Sequence, residues 1–130
     1  MVWEYYAKVL KVVDGDTLDL RVDLGFTASV DIRVRLHGIN TPEIHGVKQE
    51  SLEYAAGLAA ESFVIDWLVE AAKGLGTVLD APVRIVSHDG DKLHTGKYGR
   101  WIAEIYRDGD LVSLNAALVG AGHAELVEYG

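Results

Sequence analysis

Two neighbouring segments, 17–24 and 30–36, alternate strictly between apolar and polar residues, and this constrains the fold most. Their apolar positions share one phase in each segment: Leu18, Leu20, Val22 and Leu24, then Val30, Ile32, Val34 and Leu36. A period of two is typical of strands that bury one face. The turn-forming run Asp14-Gly15-Asp16 precedes the first segment, and Gly25 follows it. Both segments are therefore predicted to be antiparallel strands.

A strand is also predicted over 5–13, which is rich in aromatic and β-branched residues. Its apolar positions change phase, because Ala7 and Val9 are followed by Leu10 and Val12. A bulge or strong coiling accounts for such a change. With the two alternating segments, this strand completes a predicted three-stranded meander.

A long helix is predicted over 51–73. Apolar residues recur there at steps of three and four, and they predict one buried stripe: Leu52, Ala56, Ala59, Phe63, Trp67 and Ala71. Ser51 suits the N-cap and Lys73 the last turn, and Gly74 and Gly76 are expected to end the helix.

Two more strands are predicted after the helix, over 82–86 and 100–106. Ser113 is expected to cap a short helix that ends at Gly122, with an apolar stripe of Leu114, Ala117, Leu118 and Ala121. Residues 123–130 could return as an extended segment.

The order of these elements predicts the architecture. Three strands, a helix, two strands and a helix do not alternate as βαβ units do. We expect an α+β, mainly β fold. It would be a five-stranded OB-type barrel with the long helix between strands 3 and 4 and the short helix after strand 5. A length of 130 residues suits a single domain over 1–130.

The charge balance narrows the function. Twelve Lys and Arg against twenty Asp and Glu give a net charge of −8, which disfavours a tight nucleic-acid binder. The same charge is a weaker argument against an enzyme, because an enzyme must release its product. No apolar run approaches the ~20 residues of a membrane span, and no export signal is recognised at the N-terminus. A cytoplasmic protein, monomeric by default, is the expectation.

Three short polar stretches carry groups suited to phosphate chemistry. The first, RLHGINTPE at 35–43, combines an arginine, a side-chain amide, a hydroxyl and a carboxylate. Arginine grips phosphate oxygens in pairs, oxygen ligands hold hard cations, and a carboxylate can deprotonate water. The other two are DGDT at 14–17 and KYGR at 97–100. Taken singly, they read as an ordinary hairpin turn and a solvated basic loop.

Together, VVDGDT, RVRLHGINTPE and KYGR resemble the three active-site motifs of the staphylococcal (micrococcal) nuclease family. The resemblance extends over about residues 5–126 and includes the segment SLNAALVGAGHA. It implies an OB barrel and a Ca²⁺-dependent phosphodiesterase that cuts DNA and RNA with little sequence preference. In that family the bond between phosphorus and the 5′ oxygen breaks, which leaves 3′-phosphate ends.

The resemblance implies a cation site. Asp16 would be its carboxylate ligand, and Thr41 would offer its backbone carbonyl. Asp14 would support these ligands without contacting the cation. Asn40 stands where the most familiar member of the family has a second metal-binding aspartate. Because an amide oxygen carries no charge, we expect weaker Ca²⁺ binding or a different preferred cation, with Mg²⁺ or Mn²⁺ as alternatives.

The resemblance also implies the catalytic and substrate-binding roles. Arg35 would grip the phosphate, Glu43 would position or deprotonate the attacking water, and Arg100 would neutralise the transition state and the leaving oxygen. Lys97 and Tyr98 would flank the nucleotide phosphate.

One geometric condition follows from the strand phases. Arg35 lies on the polar phase of its strand, whereas Asp16 is in phase with the apolar set of its own. Both can face one site only if Asp16 lies beyond the regular part of its strand.

Two competing hypotheses stay open. A non-catalytic OB module could bind nucleic acid or a protein, although such a module would favour a basic, aromatic-rich surface. Alternatively, a nuclease with an acidic surface could depend on a partner to deliver its substrate. For the five histidines, structural or solvated roles are favoured over a second metal site at His88 and His94 beside Asp89 and Asp91.

Overall fold

The computed structural model describes residues 3–72, 78–88 and 101–127. The elements, in chain order, are β1 Trp3–Asp14, β2 Thr17–Gly25, β3 Ala28–Leu36, β4 Ile39–Asn40, α1 Leu52–Ala71, β5 Pro82–His88, β6 Trp101–Tyr106, α2 Leu114–Gly120 and β7 Glu125–Leu126. The predicted Lys73, Gly74 and Gly76 at the end of the first helix lie outside the described residues.

Five strands close into a barrel in the order β1-β2-β3-β6-β5. Strands β3 and β6 pair in parallel, and every other pair in the barrel is antiparallel. The predicted meander and the OB-type barrel, mainly β with two helices, are therefore confirmed. The predicted return of the C-terminal segment is confirmed for β7, which pairs with β4 in a separate two-stranded sheet.

The change of phase in β1 has its predicted cause. The register between β1 and β2 shifts between Val9 and Lys11, and again between Val12 and Asp14. Each shift leaves one residue of β1 without an opposite partner, which increases local twist. The second shift immediately precedes the turn that carries Asp16.

The alternating strands bury their apolar phase at one end of the barrel only. Leu18, Leu20, Val34 and Leu36 have no exposed surface. Towards the other end of the same strands, Leu24 is 48% exposed and Val30 is 41% exposed. These two residues help to line an apolar groove of about 440 Å³ that opens at this end. The alternation predicted which face points inwards, but not how far the core extends.

The predicted stripe of α1 is wrong in its first half, whereas Trp67 is buried as predicted and Phe63 packs against the core. Leu52 is 90% exposed, and Ala56 and Ala59 are exposed as well. The buried residues of this helix are Gly57, Ala60, Val64, Trp67 and Leu68. The helix is apolar on more than one side, so periodicity did not decide which side faces the protein. Small residues are buried at its start because the loop after β4 packs closely there.

Both predicted helix caps are confirmed. The hydroxyl of Ser51 accepts a hydrogen bond from the Tyr54 amide at 3.1 Å, and that of Ser113 accepts one from the Ala116 amide at 3.0 Å. Each satisfies a free amide of the first turn. Beyond α2, Gly122 adopts a positive φ of 82°, as a helix-terminating glycine does. Neither described helix has the length and apolarity that crossing a membrane requires.

Candidate active site

Asp16 lies in the turn between β1 and β2, just before the regular part of β2 begins. It is buried, and its backbone carbonyl accepts a hydrogen bond from the Leu36 amide at 2.8 Å. Its carboxylate accepts bonds from the Thr17 hydroxyl at 3.1 Å and the Thr41 amide at 3.3 Å. The turn position therefore meets the phase condition and joins Asp16 to β3 and to the loop after β4.

Arg35 reaches this carboxylate from β3. Its Nη2 lies 3.6 Å from Oδ2 of Asp16, and its side chain is only 14% exposed. The same Nη2 donates a hydrogen bond to Oδ1 of Asn40. Asp16 and Asn40 thus meet at one nitrogen of the Arg35 guanidinium. These two contacts restrict the position of that group.

Negative charge is concentrated around the turn. Burial raises the pKa of the Asp14 carboxyl to about 6, with smaller contributions from its hydrogen bond to Asp16 and from the charges of Asp16 and Glu43. Its Oδ1 accepts a bond from the Asp16 amide at 3.0 Å, which acts in the opposite direction. A bound cation would relieve this crowding.

The donor set is compatible with a hard cation, because Asp16, Asn40 and Thr41 offer only oxygen atoms. Only one of the three is a carboxylate. Accordingly, no group of three or more histidine, aspartate or glutamate residues that could hold a metal is found in the described ranges. These oxygen donors fit a hard cation better than a zinc ion, which prefers nitrogen and sulfur ligands.

Glu43 follows on a loop with no regular structure, and its side chain is exposed. Its charge contributes to the raised pKa of Asp14, which places it in the electrostatic neighbourhood of the turn. Thr41, two residues earlier, is buried and bonded to Asp16. The loop thus presents an exposed carboxylate on an anchored backbone.

The third motif falls on residues that the structure does not describe. Lys97, Tyr98 and Arg100 lie within 89–100, outside the described ranges. Strand β6 begins directly after them, and its Ile102 is opposite Arg35 in the parallel pair with β3. The described start of β6 therefore lies next to the strand that carries Arg35.

Two of the histidines, His37 and His88, stack on each other. The rings of His37 and His88 lie 3.8 Å apart and almost parallel, and Nε2 of His88 is 3.3 Å from a Glu104 carboxylate oxygen. Burial lowers the pKa of His37, the charge of His88 lowers it further, and Glu104 opposes both. Face-to-face stacking does not aim the ring nitrogens at a common point, and His94 lies outside the described residues.

Comparison with known proteins identifies the family. Residues 33–130 match the family described as staphylococcal nuclease homologue. This chain belongs to the staphylococcal nuclease family. The matched range contains Arg35, Asn40, Thr41 and Glu43, whereas Asp16 precedes it.

An archaeal relative extends the match towards the N-terminus. An uncharacterized protein of Methanocaldococcus jannaschii is 30% identical over 128 residues, which cover 94% of this chain and 59% of the relative. The chain thus spans less than two thirds of that protein, whose name states no activity. Membership of the staphylococcal nuclease family gives a nuclease-like or nucleic-acid-binding fold.

Two residues next to this staphylococcal nuclease-like site were not singled out from the sequence. Asn115 is buried in α2, and its side chain bonds the His37 and Ala103 carbonyls and the Ile105 amide. Glu125 of β7 is directly opposite Asn40 in the ladder with β4. The sequence indicated Asn115 only weakly, because it is a polar residue beside the predicted apolar stripe of α2. It did not indicate Glu125, because the partner of β7 is set by the fold.

Proposed function

We propose that this chain is a divalent-cation-dependent phosphodiesterase that hydrolyses DNA, RNA or both with little sequence preference. The observation that carries this proposal is the meeting of Arg35 with the buried Asp16 and the exposed Asn40, beside the loop of Glu43. Phosphoryl transfer requires mainly positioning and charge neutralisation, and this arrangement offers both. The family supports a nucleic acid as the substrate.

In the proposed reaction, water attacks the phosphorus of a phosphodiester. An oxygen–phosphorus bond forms, the bond to the 5′ oxygen breaks, and that oxygen leaves with a proton. Arg35 would bind the non-bridging oxygens, whose negative charge grows in the transition state. Glu43 would hold or deprotonate the water, for which an exposed carboxylate on a fixed backbone is suited.

The cation would be held by the carboxylate of Asp16, the amide oxygen of Asn40 and the carbonyl of Thr41, with Ca²⁺ proposed first and Mg²⁺ or Mn²⁺ as alternatives. It would supply positive charge beside the phosphate and acidify a water. Arg100 would neutralise the leaving oxygen, and Lys97 and Tyr98 would flank the nucleotide phosphate. These three assignments rest on the motif alone.

The test is cleavage of a fluorescent single-stranded DNA with EDTA, Ca²⁺, Mg²⁺ or Mn²⁺. We expect cutting with at least one ion and none with EDTA. Glu43→Gln, which keeps the size of the side chain and removes its basicity, should lower kcat by roughly 10²- to 10⁴-fold. Glu50→Gln, an exposed glutamate on the same loop, is the matched control and should cut like the parent protein.

Other outcomes would decide against this proposal. Cutting that survives in EDTA would remove the cation from the reaction. Binding of the same DNA without cutting under any ion, by a well-folded sample, would instead support an OB-type binding module. The observation that favours this second candidate is Asn40, whose side chain lacks the negative charge of an aspartate.

Asn40→Asp should strengthen Ca²⁺ binding by about tenfold or more, because affinity rises with the number of charged ligands. Isothermal titration calorimetry measures this without any turnover. Asn40→Ala, which removes the amide oxygen, should bind more weakly than the parent. Unchanged affinity in both variants would show that residue 40 does not face the ion.

A further inference from the structure

Helix α1 lies against the loop of Glu43 at Gly57. This glycine is buried, and the loop lies directly against its backbone. A Cβ added here would lie 2.8 Å from the Pro42 carbonyl oxygen and 2.9 Å from the Glu43 carbonyl oxygen. It would also lie 2.5 Å from Cγ2 of Ile44. Contacts this short force a shift, and two of the three involve backbone atoms.

One helical turn further on, α1 also touches the turn that carries Asp16. A Cβ added at Gly15 would lie 2.9 Å from the Cβ of Ala60 and 2.8 Å from the Thr41 hydroxyl oxygen. The side chain of Thr41 is therefore close to the glycine of the turn, while its amide bonds Asp16. Gly57 and Ala60 lie three residues apart, on one face of the helix.

We propose that Gly57 is a positioning residue, whose missing side chain lets α1 hold the Glu43 loop against the turn of Asp16. The inference rests on the proposed function and deepens it. A side chain at 57 would move the backbone of Pro42 and Glu43, and with it the carboxylate of Glu43 relative to Asp16 and Arg35. Reacting groups are sensitive to such shifts, and ~1 Å can cost 10²-fold in rate.

The experiment compares Gly57→Ala with Gly120→Ala. Gly120 is also helical, but an added Cβ there meets no atom within 4 Å. We expect Gly57→Ala to lower kcat by about 10- to 100-fold with KM changed less than about threefold, because the groups that bind phosphate stay in place. Gly120→Ala should keep the parent's kcat and have an equal or higher Tm, since alanine favours the helix.

A second readout does not depend on cleavage. Amide hydrogen exchange at Thr41 reports its bond to Asp16, and we expect it to be at least about tenfold faster in Gly57→Ala only. If Gly57→Ala does not fold, Gly57→Ala with Ile44→Ala removes the nearest collision and is compared with Ile44→Ala alone. A fall in Tm with unchanged kcat and unchanged Thr41 exchange would overturn the proposal.

The two readouts separate this inference from the proposed function. If the parent protein cuts no nucleic acid with any ion, the proposed function fails. Thr41 exchange then still decides whether Gly57 positions the loop. If the parent cuts and Gly57→Ala cuts equally well while folded, the proposed function stands and the positioning role is rejected.

Discussion

Arg35→Ala is expected to lower kcat for DNA cleavage by roughly 10³-fold or more, the range found when a transition-state arginine is removed. The physical reason is that no neighbouring cation in the described ranges replaces it at Asp16 and Asn40. Steady-state kinetics on the fluorescent substrate, with the most active ion, measure the effect. Arg35→Lys keeps the charge and loses the planar fork, so an intermediate loss is expected.

Arg33→Ala is the matched control for Arg35. Arg33 lies two residues earlier on the same face of β3, and its exposed side chain pairs with Asp19 at 2.8 Å. Exposed pairs of this kind contribute ~0–1 kcal/mol, so both activity and stability should stay close to those of the parent. Equal losses in the two variants would point to a general effect of positive charge on substrate binding rather than to a role for Arg35 in the site.

Removing Arg35 should also reduce the free energy of unfolding, by roughly 1–3 kcal/mol, because Asp16 stays buried without its cationic neighbour. The carboxylate keeps its bonds from Thr17 and Thr41, which limits the loss. Rates must therefore be compared at a temperature at which both proteins are fully folded. A parent-like rate under that condition would move the phosphate site elsewhere.

Asn115→Leu is expected to lower the free energy of unfolding by about 3 kcal/mol or more. The 5%-exposed Asn115 side chain makes three hydrogen bonds, to the His37 carbonyl, the Ala103 carbonyl and the Ile105 amide. Leucine has a similar volume but makes none, so buried backbone groups of β6 and of the chain after β3 lose a partner. Thermal unfolding should show Tm lower by roughly 10 °C.

Ala116→Leu places the same residue at the next, exposed position of α2 and should change stability by only about 0.5 kcal/mol or less. Asn115→Leu should also weaken catalysis, because Asn115 ties His37, which directly follows β3 and lies two residues beyond Arg35, to β6. A Tm close to that of the parent would show that the three bonds contribute little, or that water replaces them.

The strand phases could be predicted because each follows from its own few residues. Leu18 and Leu20 alternate with charged residues, and the core-facing side of a half-buried strand is set by this alternation. The bulge in β1 was visible for the same reason, as a change of phase after Val9. The caps Ser51 and Ser113 also act locally, since each bonds an amide three residues ahead.

The face of α1 could not be predicted in this way. An apolar stripe through Leu52 and Phe63 was as regular as the buried one through Gly57 and Val64. The choice between them depends on what packs against the helix. The loop carrying Glu43 approaches so closely that a glycine is needed at the contact, and this distance is a property of the assembled protein.

The same distinction between local pattern and assembled structure applies to the candidate active site. By itself, the sequence determined which chemical groups are present, Asp16, Arg35, Asn40 and Glu43 among them, and which family the motifs resemble. Only the tertiary structure decided that the turn before β2 brings Asp16 to Arg35, and that Asn115 ties the residue after β3 to β6. The physical reason is distance along the chain. Local pattern sets conformation over a few residues, whereas contacts between distant residues depend on how the barrel closes.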